Sequence, residues 1–209
     1  MATLQQILLD SSATLDLSAT LPVSDELILR SNYANQAVQD ASAVSQFPEF
    51  KKEYSLSVTN NVIVTLPSGF REFHVNPMSL NSSGGWDEYP EIAMEDKYSA
   101  VGNYCYVTGN PQQGYIATFN GLQTGMSLSI IYQAYPAGMQ TLTSICELSD
   151  PTYVTRKIES YVLYSRGDDR FPTAEGRANT VLLNMTGRKM KGAGGQGQGT
   201  KTGFVNPLG

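Results

Sequence analysis

The single histidine of the sequence, His74, is the first residue to consider for catalysis or metal binding. It lies in a predicted strand, Arg71–Val75, with no nucleophile motif beside it, and the sequence favours a partly buried or surface strand histidine. Zinc sites draw most of their ligands from His and Cys. One His and two Cys in 209 residues nearly exclude such a site by number alone. We therefore expect no metal and no His-dependent triad.

Acidic residues form the second set that could do chemistry. Paired carboxylates can act as general acid and base, or bind Mg²⁺, when they converge on one point. Three groups surround a predicted loop and a fourth lies between Arg166 and Arg170: Asp87 and Glu88, Glu91, Glu95 and Asp96, and Asp168 and Asp169. Solvated loop charges and local ion pairs account for these positions. We expect no enzyme activity, and a hydrolase acting through Asp87, Glu91 or Asp96 stays an alternative.

A glycine-rich segment, Gly192–Gly197, satisfies the pattern G-x-G-x-x-G. The dinucleotide-binding form of this pattern follows a strand and opens a helix, whose amides and dipole then face the pyrophosphate. Here the pattern follows a predicted helix and leads into more glycine. We interpret the segment as a tether and expect no cofactor.

A helical period precedes the strands. Ser24 is a predicted N-cap, and Asp25 and Glu26 place negative charge on the first turn, where the helix dipole favours it. Apolar and small residues then recur at spacings of three and four before Phe47-Pro48: Leu27, Ser31, Ala34, Val38 and Ala41. Because these side chains are mostly small, they predict close packing against another helix or a neighbouring chain. We assign an inter-subunit helix face to Leu27, Ala34, Val38 and Ala41.

The period changes to two residues after position 50. Tyr54, Leu56 and Val58 alternate with polar residues, and Asn60-Asn61 can turn the chain into a second apolar run, which predicts a hairpin. Further strands are expected over 70–75, 103–108, 115–119 and 126–132, with a loop before Trp86 at Asn81–Gly85. Short strands at this spacing indicate an antiparallel sandwich or small barrel across about residues 50–135.

Helical periodicity returns after position 145. Asp150-Pro151 predicts a helix start, followed by the stripe Val154, Ile158, Tyr161, Val162 and Ser165. Pro172 predicts the start of a second helix with the stripe Ala174, Ala178, Val181, Leu182 and Met185, which Gly187 ends as a C-cap. The sequence thus predicts an α+β fold. An N-terminal helical segment, 1–49, and a C-terminal helical hairpin, 146–186, flank an antiparallel β-module, 50–145, and a Gly-rich basic arm, 187–209, follows.

Charge is distributed unevenly along the chain, whose net charge is −5. Residues 1–175 contain nine cations and nineteen carboxylates, whereas residues 176–209 contain five cations and no carboxylate side chain. The four cations beyond Gly187 give weak affinity for nucleic acid, and no aromatic residue lies between them for base stacking. An arm that docks on an acidic or grooved protein partner fits at least as well. We assign this contact to Arg188, Lys189, Lys191, Lys201, Phe204, Val205 and Leu208.

The two cysteines, Cys105 and Cys146, form no C-x-x-C pair, and in a reducing compartment two free, half-buried thiols are expected rather than a disulfide. No stretch approaches the roughly 20 apolar residues that a membrane helix needs. The N-terminus lacks the basic region of a secretory signal. We expect a protein that is made in the cytoplasm and does not enter a membrane.

Four stretches follow one another in a recognisable order. They are Ser24–Asn32 running to Phe47–Phe50, Thr65–Phe70, Ile131–Pro136, and Asp150–Tyr153 with Ser165–Phe171. In this order they resemble the head-to-tail adaptor (tail tubular protein A-like) proteins of short-tailed bacteriophages and related phage neck proteins. The resemblance covers most of residues 24–186 and is one of layout more than of signature.

The resemblance implies a structural protein of the virion head–tail junction. Adaptors of this family assemble as a ring, typically of twelve copies, beneath the portal protein and join it to the tail or nozzle. Double-stranded DNA passes through such a ring without sequence-specific binding, and a C-terminal extension commonly docks on the portal. An alternative from another class is a virion decoration or host-glycan-binding β-module that uses Trp86 and nearby tyrosines.

Overall fold

The computed structural model describes residues 1–18, 20–59, 63–81 and 83–193, with side chains as far as Gly187. Four helices are described: α1 (Leu4–Leu15), α2 (Ser24–Val44), α3 (Thr152–Ser165) and α4 (Phe171–Ala193). Eight strands lie between α2 and α3: β1 (Lys51–Ser57), β2 (Ile63–Thr65), β3 (Phe70–Phe73), β4 (Met78–Leu80), β5 (Trp86–Glu88), β6 (Tyr104–Asn110), β7 (Gly114–Asn120) and β8 (Ser127–Ala134). Helices at both ends of the chain flank antiparallel sheets, and the predicted α+β class is confirmed.

The four helices share one hydrophobic core, although the strands separate α2 from α3 in sequence. Each helix contributes fully or almost fully buried side chains to it: Ile7 and Leu8, Ala34, Ala37 and Ala41, Val154 and Ile158, and Ala178 and Met185. Residues 4–15 belong to the predicted N-terminal helical segment, but no separate helix was predicted for them. Thr3 begins α1, because its hydroxyl accepts a hydrogen bond from the Gln6 amide at 3.3 Å. The predicted segments 1–49 and 146–186 therefore pack together as one helical layer.

The predicted inter-subunit face of α2 is internal, and this assignment was wrong. Ala34 and Ala41 are 0% exposed, Val38 is 3% exposed, and Leu27 packs partly buried against the same core. The small side chains let α2 approach the other helices of its own chain closely, which was the other reading of the pattern. The predicted N-cap also differs. Val23 precedes the helix and makes no side-chain cap hydrogen bond, while Ser24 is already its first residue.

The C-terminal helices match the predicted periodicity closely. The Asp150 carboxylate accepts a hydrogen bond from the Thr152 amide at 3.1 Å and so supports the first turn of α3. The predicted end at Gly187 was wrong, since α4 continues to Ala193. A glycine inside a helix costs about 1 kcal/mol relative to alanine. The following Arg188-Lys189-Met190-Lys191 are good helix formers, which offsets this cost.

The strands form two antiparallel sheets rather than one. One sheet contains β1, β8, β4 and β5 in this order, with β3 also paired to β8, and the other contains β2, β7 and β6. Both sheets contribute to a single core that includes Phe70, Tyr89, Phe119, Leu128 and Ile130. The module is therefore a sandwich rather than a closed barrel.

The predicted hairpin of the first two strands does not form. β1 pairs with β8 from Lys51–Gln133 to Ser57–Ser127, and β2 pairs with β7 through Ile63–Thr118. The two strands therefore belong to different sheets. The predicted alternation of β1 is correct. However, β1 forms seven residue pairs with β8, and β2 is only three residues long and could not form as many. The predicted turn at Asn60-Asn61 lies outside the described residues.

The helical layer is joined to the five-stranded sheet by direct polar contacts. Gln133 of β8 donates its amide to the Phe47 carbonyl at 2.9 Å, and Arg71 donates to the Ser42 carbonyl at 2.6 Å. Phe47 and Phe50 are buried at this junction. These contacts place the five-stranded sheet next to the end of α2 and leave the other sheet to present a face of its own.

Both cysteines are free and fully buried rather than half-buried, each at 0% exposure. Burial, with a smaller effect of Glu91, raises the pKa of Cys105 to about 12, and burial also raises the pKa of Cys146. Because the thiolate is the reactive form, we expect no reaction of the native chain with a thiol reagent at pH 8. Two thiols should react after denaturation. A rapidly reacting thiol in the native chain would contradict the burial of these side chains.

Candidate functional site

The most unusual chemical feature of the molecule is a long stretch without charge. Residues 98–146 contain no Asp, Glu, Lys, Arg or His over 49 positions. The stretch includes β6, β7 and β8, and β2 is uncharged as well. Consequently no strand of the three-stranded sheet contains a charged residue. This signal is visible in the sequence itself but was not among the predicted features.

The register of the three-stranded sheet separates its residues into a buried row and an outer row. Val64, Ala117 and Phe119 are buried in the sandwich core. The opposite side chains line up across the strands as Ile63–Thr118–Tyr106, Thr65–Ile116–Thr108 and Asn120–Tyr104. Since successive residues of a strand point to opposite faces, these eight residues form the other face of the sheet. We name it the outer face: Ile63, Thr65, Tyr104, Tyr106, Thr108, Ile116, Thr118 and Asn120.

The outer face is open to solvent although much of it is apolar. Ile63 is 56% exposed and Ile116 is 41% exposed. A sheet with one solvated face normally alternates apolar residues inside with polar, often charged, residues outside. Here the outward positions carry isoleucine, threonine, tyrosine and asparagine instead. Such an exposed apolar and aromatic face is typical of a surface that another molecule covers.

A short 3-10 helix, Met94–Tyr98, borders the outer face and forms a shallow cavity with it. The cavity has a volume of about 260 Å³ and is lined by Lys97, Tyr98, Tyr104, Tyr106, Thr118, Phe119 and Asn120. Lys97 Nζ lies 4.8 Å from the ring centroid of Tyr98 and 5.8 Å from that of Tyr106. The Tyr104 hydroxyl donates to the Lys97 carbonyl at 3.0 Å and holds the short helix in place. Tyr98 itself is 89% exposed.

The chemistry of this surface suits recognition rather than bond breaking. Interface cores are depleted in charged residues and enriched in aromatic ones, especially tyrosine. The outer face contains no carboxylate, histidine or thiol, and the 3-10 helix at its border adds the charges of Glu95, Asp96 and Lys97. One cation gives little attraction to phosphate, so nucleic acid is a poor ligand for it. An uncharged protein surface or a saccharide fits it better.

The acidic residues considered for hydrolysis lie on separate elements. Asp87 in β5 accepts a hydrogen bond from the Asn81 amide group at 3.1 Å, and Asp96 lies exposed in the 3-10 helix. Burial and the nearby charge of Glu72 raise the pKa of Glu91. The backbone of Glu91 forms an isolated β-bridge with that of Cys105. Within the described ranges, no group of three His, Cys, Asp or Glu side chains is placed to hold a metal ion.

The remaining predicted polar sites have local roles. Asp168 pairs with Arg170 at 2.7 Å, and hydrogen bonds from Arg170 lower the pKa of Asp168 to about 2. This confirms the predicted local ion pair. His74 directly follows β3 instead of lying inside a longer strand, and its amide donates to the Ile131 carbonyl at 2.9 Å. Its Nδ1 atom is buried and has no hydrogen-bond partner among the described atoms.

The predicted docking arm lies largely outside the described residues. Arg188, Lys189 and Lys191 fall within the last turns of α4, where side chains are not described. Lys201, Phe204, Val205 and Leu208 lie beyond the described part of the chain. The assignment of these residues to a partner contact stays a prediction.

Trp86 lies at the edge of the other sheet. It is 59% exposed on β5 and pairs with Leu80 of β4, which is 41% exposed. The expected loop before it is a tight turn, in which the Asn81 side chain accepts a hydrogen bond from the Gly85 amide at 2.8 Å. Trp86 is therefore held by a β-hairpin, on a different sheet from the outer face.

No protein-family model and no curated protein matches the sequence. In the described part of the chain, none of the helices is both long enough and apolar enough to cross a membrane.

Proposed function

We propose that this chain is a structural virion protein, a head-to-tail adaptor that forms a ring under the portal and joins it to the tail. The observation that carries the proposal is the charge-free outer face on an otherwise acidic body. Copies of like net charge repel one another, so contacts in a ring form best where charge is absent. The layout of helices around a β-module, which resembles these adaptors, supports the same role.

The charge distribution also suits a protein that surrounds passing DNA without binding it. Residues 1–175 carry nineteen carboxylates against nine cations, and a surface of this sign does not retain phosphates. In the proposed ring, double-stranded DNA passes without sequence-specific contact. The protein then needs no catalytic residue and no cofactor, and it acts by assembling with the portal, the tail and its own copies.

Native mass spectrometry with the portal ring from the same source tests the proposal. We expect a stoichiometric ring-on-ring complex with the full chain. A chain that ends at Ala193 tests the part of the arm beyond α4, because it keeps all of α4, with Arg188, Lys189 and Lys191, and every described core residue. If only the full chain binds, the arm is required for docking. If neither chain forms a complex with the portal, the adaptor function is wrong.

A second candidate function is favoured by the cavity between the 3-10 helix and the outer face. Exposed tyrosine rings beside threonine and asparagine can stack on a sugar ring and hydrogen bond its hydroxyls. We expect a glycan-binding module to lose binding on a glycan array when Tyr98→Ala is introduced. Trp86→Ala, on the other sheet, is the matched aromatic control. Absence of any glycan signal with the unmodified chain dismisses this candidate.

A further inference from the structure

The N-terminal half of α2 presents an apolar surface that no described part of the chain covers. Val23 is 77% exposed, Ile28 is 61% exposed and Leu29 is 38% exposed. Two hollows lie on either side of Ile28 and share Ile28 and Asn32 in their linings. One, of about 440 Å³, includes Asp25 and Leu29, and the other, of about 380 Å³, extends to the loop at Met139–Leu142. We name this continuous surface the α2 groove.

Two carboxylates, Asp25 and Glu26, line the α2 groove. Glu26 is bonded to Arg30 at 2.7 Å and to Arg166 at 3.3 Å. Asp25 is exposed at the edge of the groove. A segment that combines apolar side chains with positive charge therefore suits the groove.

One segment of this protein has that composition. Residues 188–209 contain four cations and no carboxylate side chain, and they end with Phe204, Val205 and Leu208. We propose that the part of this segment beyond α4 in one copy lies in the α2 groove of a neighbouring copy, with Lys201 near Asp25 and with Phe204, Val205 and Leu208 over Ile28 and Leu29. The inference rests on the proposed ring and names the partner of the arm within it.

The direction of α4 favours a neighbouring copy over the same chain. The rings of Tyr164 and Phe171 lie 5.0 Å apart, and Lys157 of α3 pairs with Glu175 of α4, so α4 runs antiparallel to α3. The start of α4 lies close to the beginning of α2, because Arg166, which precedes α4 in the chain, contacts Glu26. From Phe171 to Ala193 a helix advances about 33 Å, away from the groove. The eleven residues from there to Phe204 span about 37 Å at most, so a return within one chain requires an almost fully extended segment.

Disulfide trapping tests the inference in the full chain. The variants Ile28→Cys and Val205→Cys are mixed, one of them isotopically labelled, and oxidised both free and with the portal ring. The native thiols are buried, so the introduced thiols react first. We expect a disulfide between positions 28 and 205 of different copies, formed on the order of tenfold more than with Gln112→Cys, a control in the exposed β6–β7 turn. Adding Asp25→Lys to the Ile28→Cys variant should lower the yield several-fold.

The outcomes separate this inference from the adaptor function. Suppose that the complex with the portal forms, but that Val205→Cys gives equal disulfide yields with Ile28→Cys and with Gln112→Cys in it. The inference is then wrong and the adaptor function stands. In a chain that carries both Ile28→Cys and Val205→Cys, a disulfide formed only within single copies also overturns the inference. If no complex with the portal forms, the adaptor function fails, and the yields in the free mixture decide the inference. Docking of the arm on the portal would appear as portal-linked products at position 205 without products at position 28.

Discussion

Replacing Arg30 with methionine should lower the free energy of unfolding by about 2 kcal/mol, because the change removes the buried cation of an ion network and its hydrogen bonds to two carboxylates. The Arg30 guanidinium donates to Asp16 at 2.6 Å, to Glu26 at 2.7 Å and to the Ser12 hydroxyl at 3.1 Å. Its side chain is 2% exposed. Methionine has similar length but cannot satisfy these oxygens. The contacts join the end of α1 to the beginning of α2, so the loss acts on two helices.

The same ion network contains its own control. Arg166 contacts Asp16 at 3.6 Å and Glu26 at 3.3 Å, but its side chain is 47% exposed. Solvent screens this pair, and Arg166→Met should cost less than about 1 kcal/mol. Urea denaturation of both variants gives the comparison, since the midpoint shifts at constant slope report the change in stability. Equal losses for the two variants would show that burial does not set the strength of this network.

Introducing a charge on the outer face should weaken assembly strongly while leaving the chain folded. Ile116→Lys places an ammonium group in the middle of the face, at a position that is 41% exposed in the single chain. The free energy of unfolding should change by about 1 kcal/mol or less, because the ammonium group of the lysine can reach water. An interface that covers this position must bury an unpaired charge, and we expect assembly to weaken on the order of 100-fold.

Gln112→Lys provides the matched control for this second experiment. It adds the same charge in the exposed turn that connects β6 and β7, outside the outer face. Native mass spectrometry over a concentration series, with the portal ring present, measures the assembly of both variants. We expect the Gln112→Lys chain to assemble like the unmodified chain. If the Ile116→Lys chain also does so, the outer face is not part of the interface.

Local patterns in the sequence were sufficient for most individual elements. The stripes beginning at Val154 and Ala174 are the buried faces of α3 and α4, and the strands expected after position 100 are β6, β7 and β8. Helical and strand periods are properties of neighbouring residues, so they can be read without knowledge of the fold. The signal of the outer face was also local. The stretch 98–146 contains no charge, and register alone then places its outward residues together.

Which strands pair and which helices pack together depended on residues far apart in the chain. The sequence by itself determined that α2 has a face of small side chains and that β1 alternates, because both are local patterns. Only the tertiary structure decided that α3 of the same chain covers that face, and that β1 pairs with β8 rather than β2. An apolar face requires burial but does not specify which surface buries it, and a strand edge accepts any strand of suitable length. The competition among all elements of the chain makes that choice.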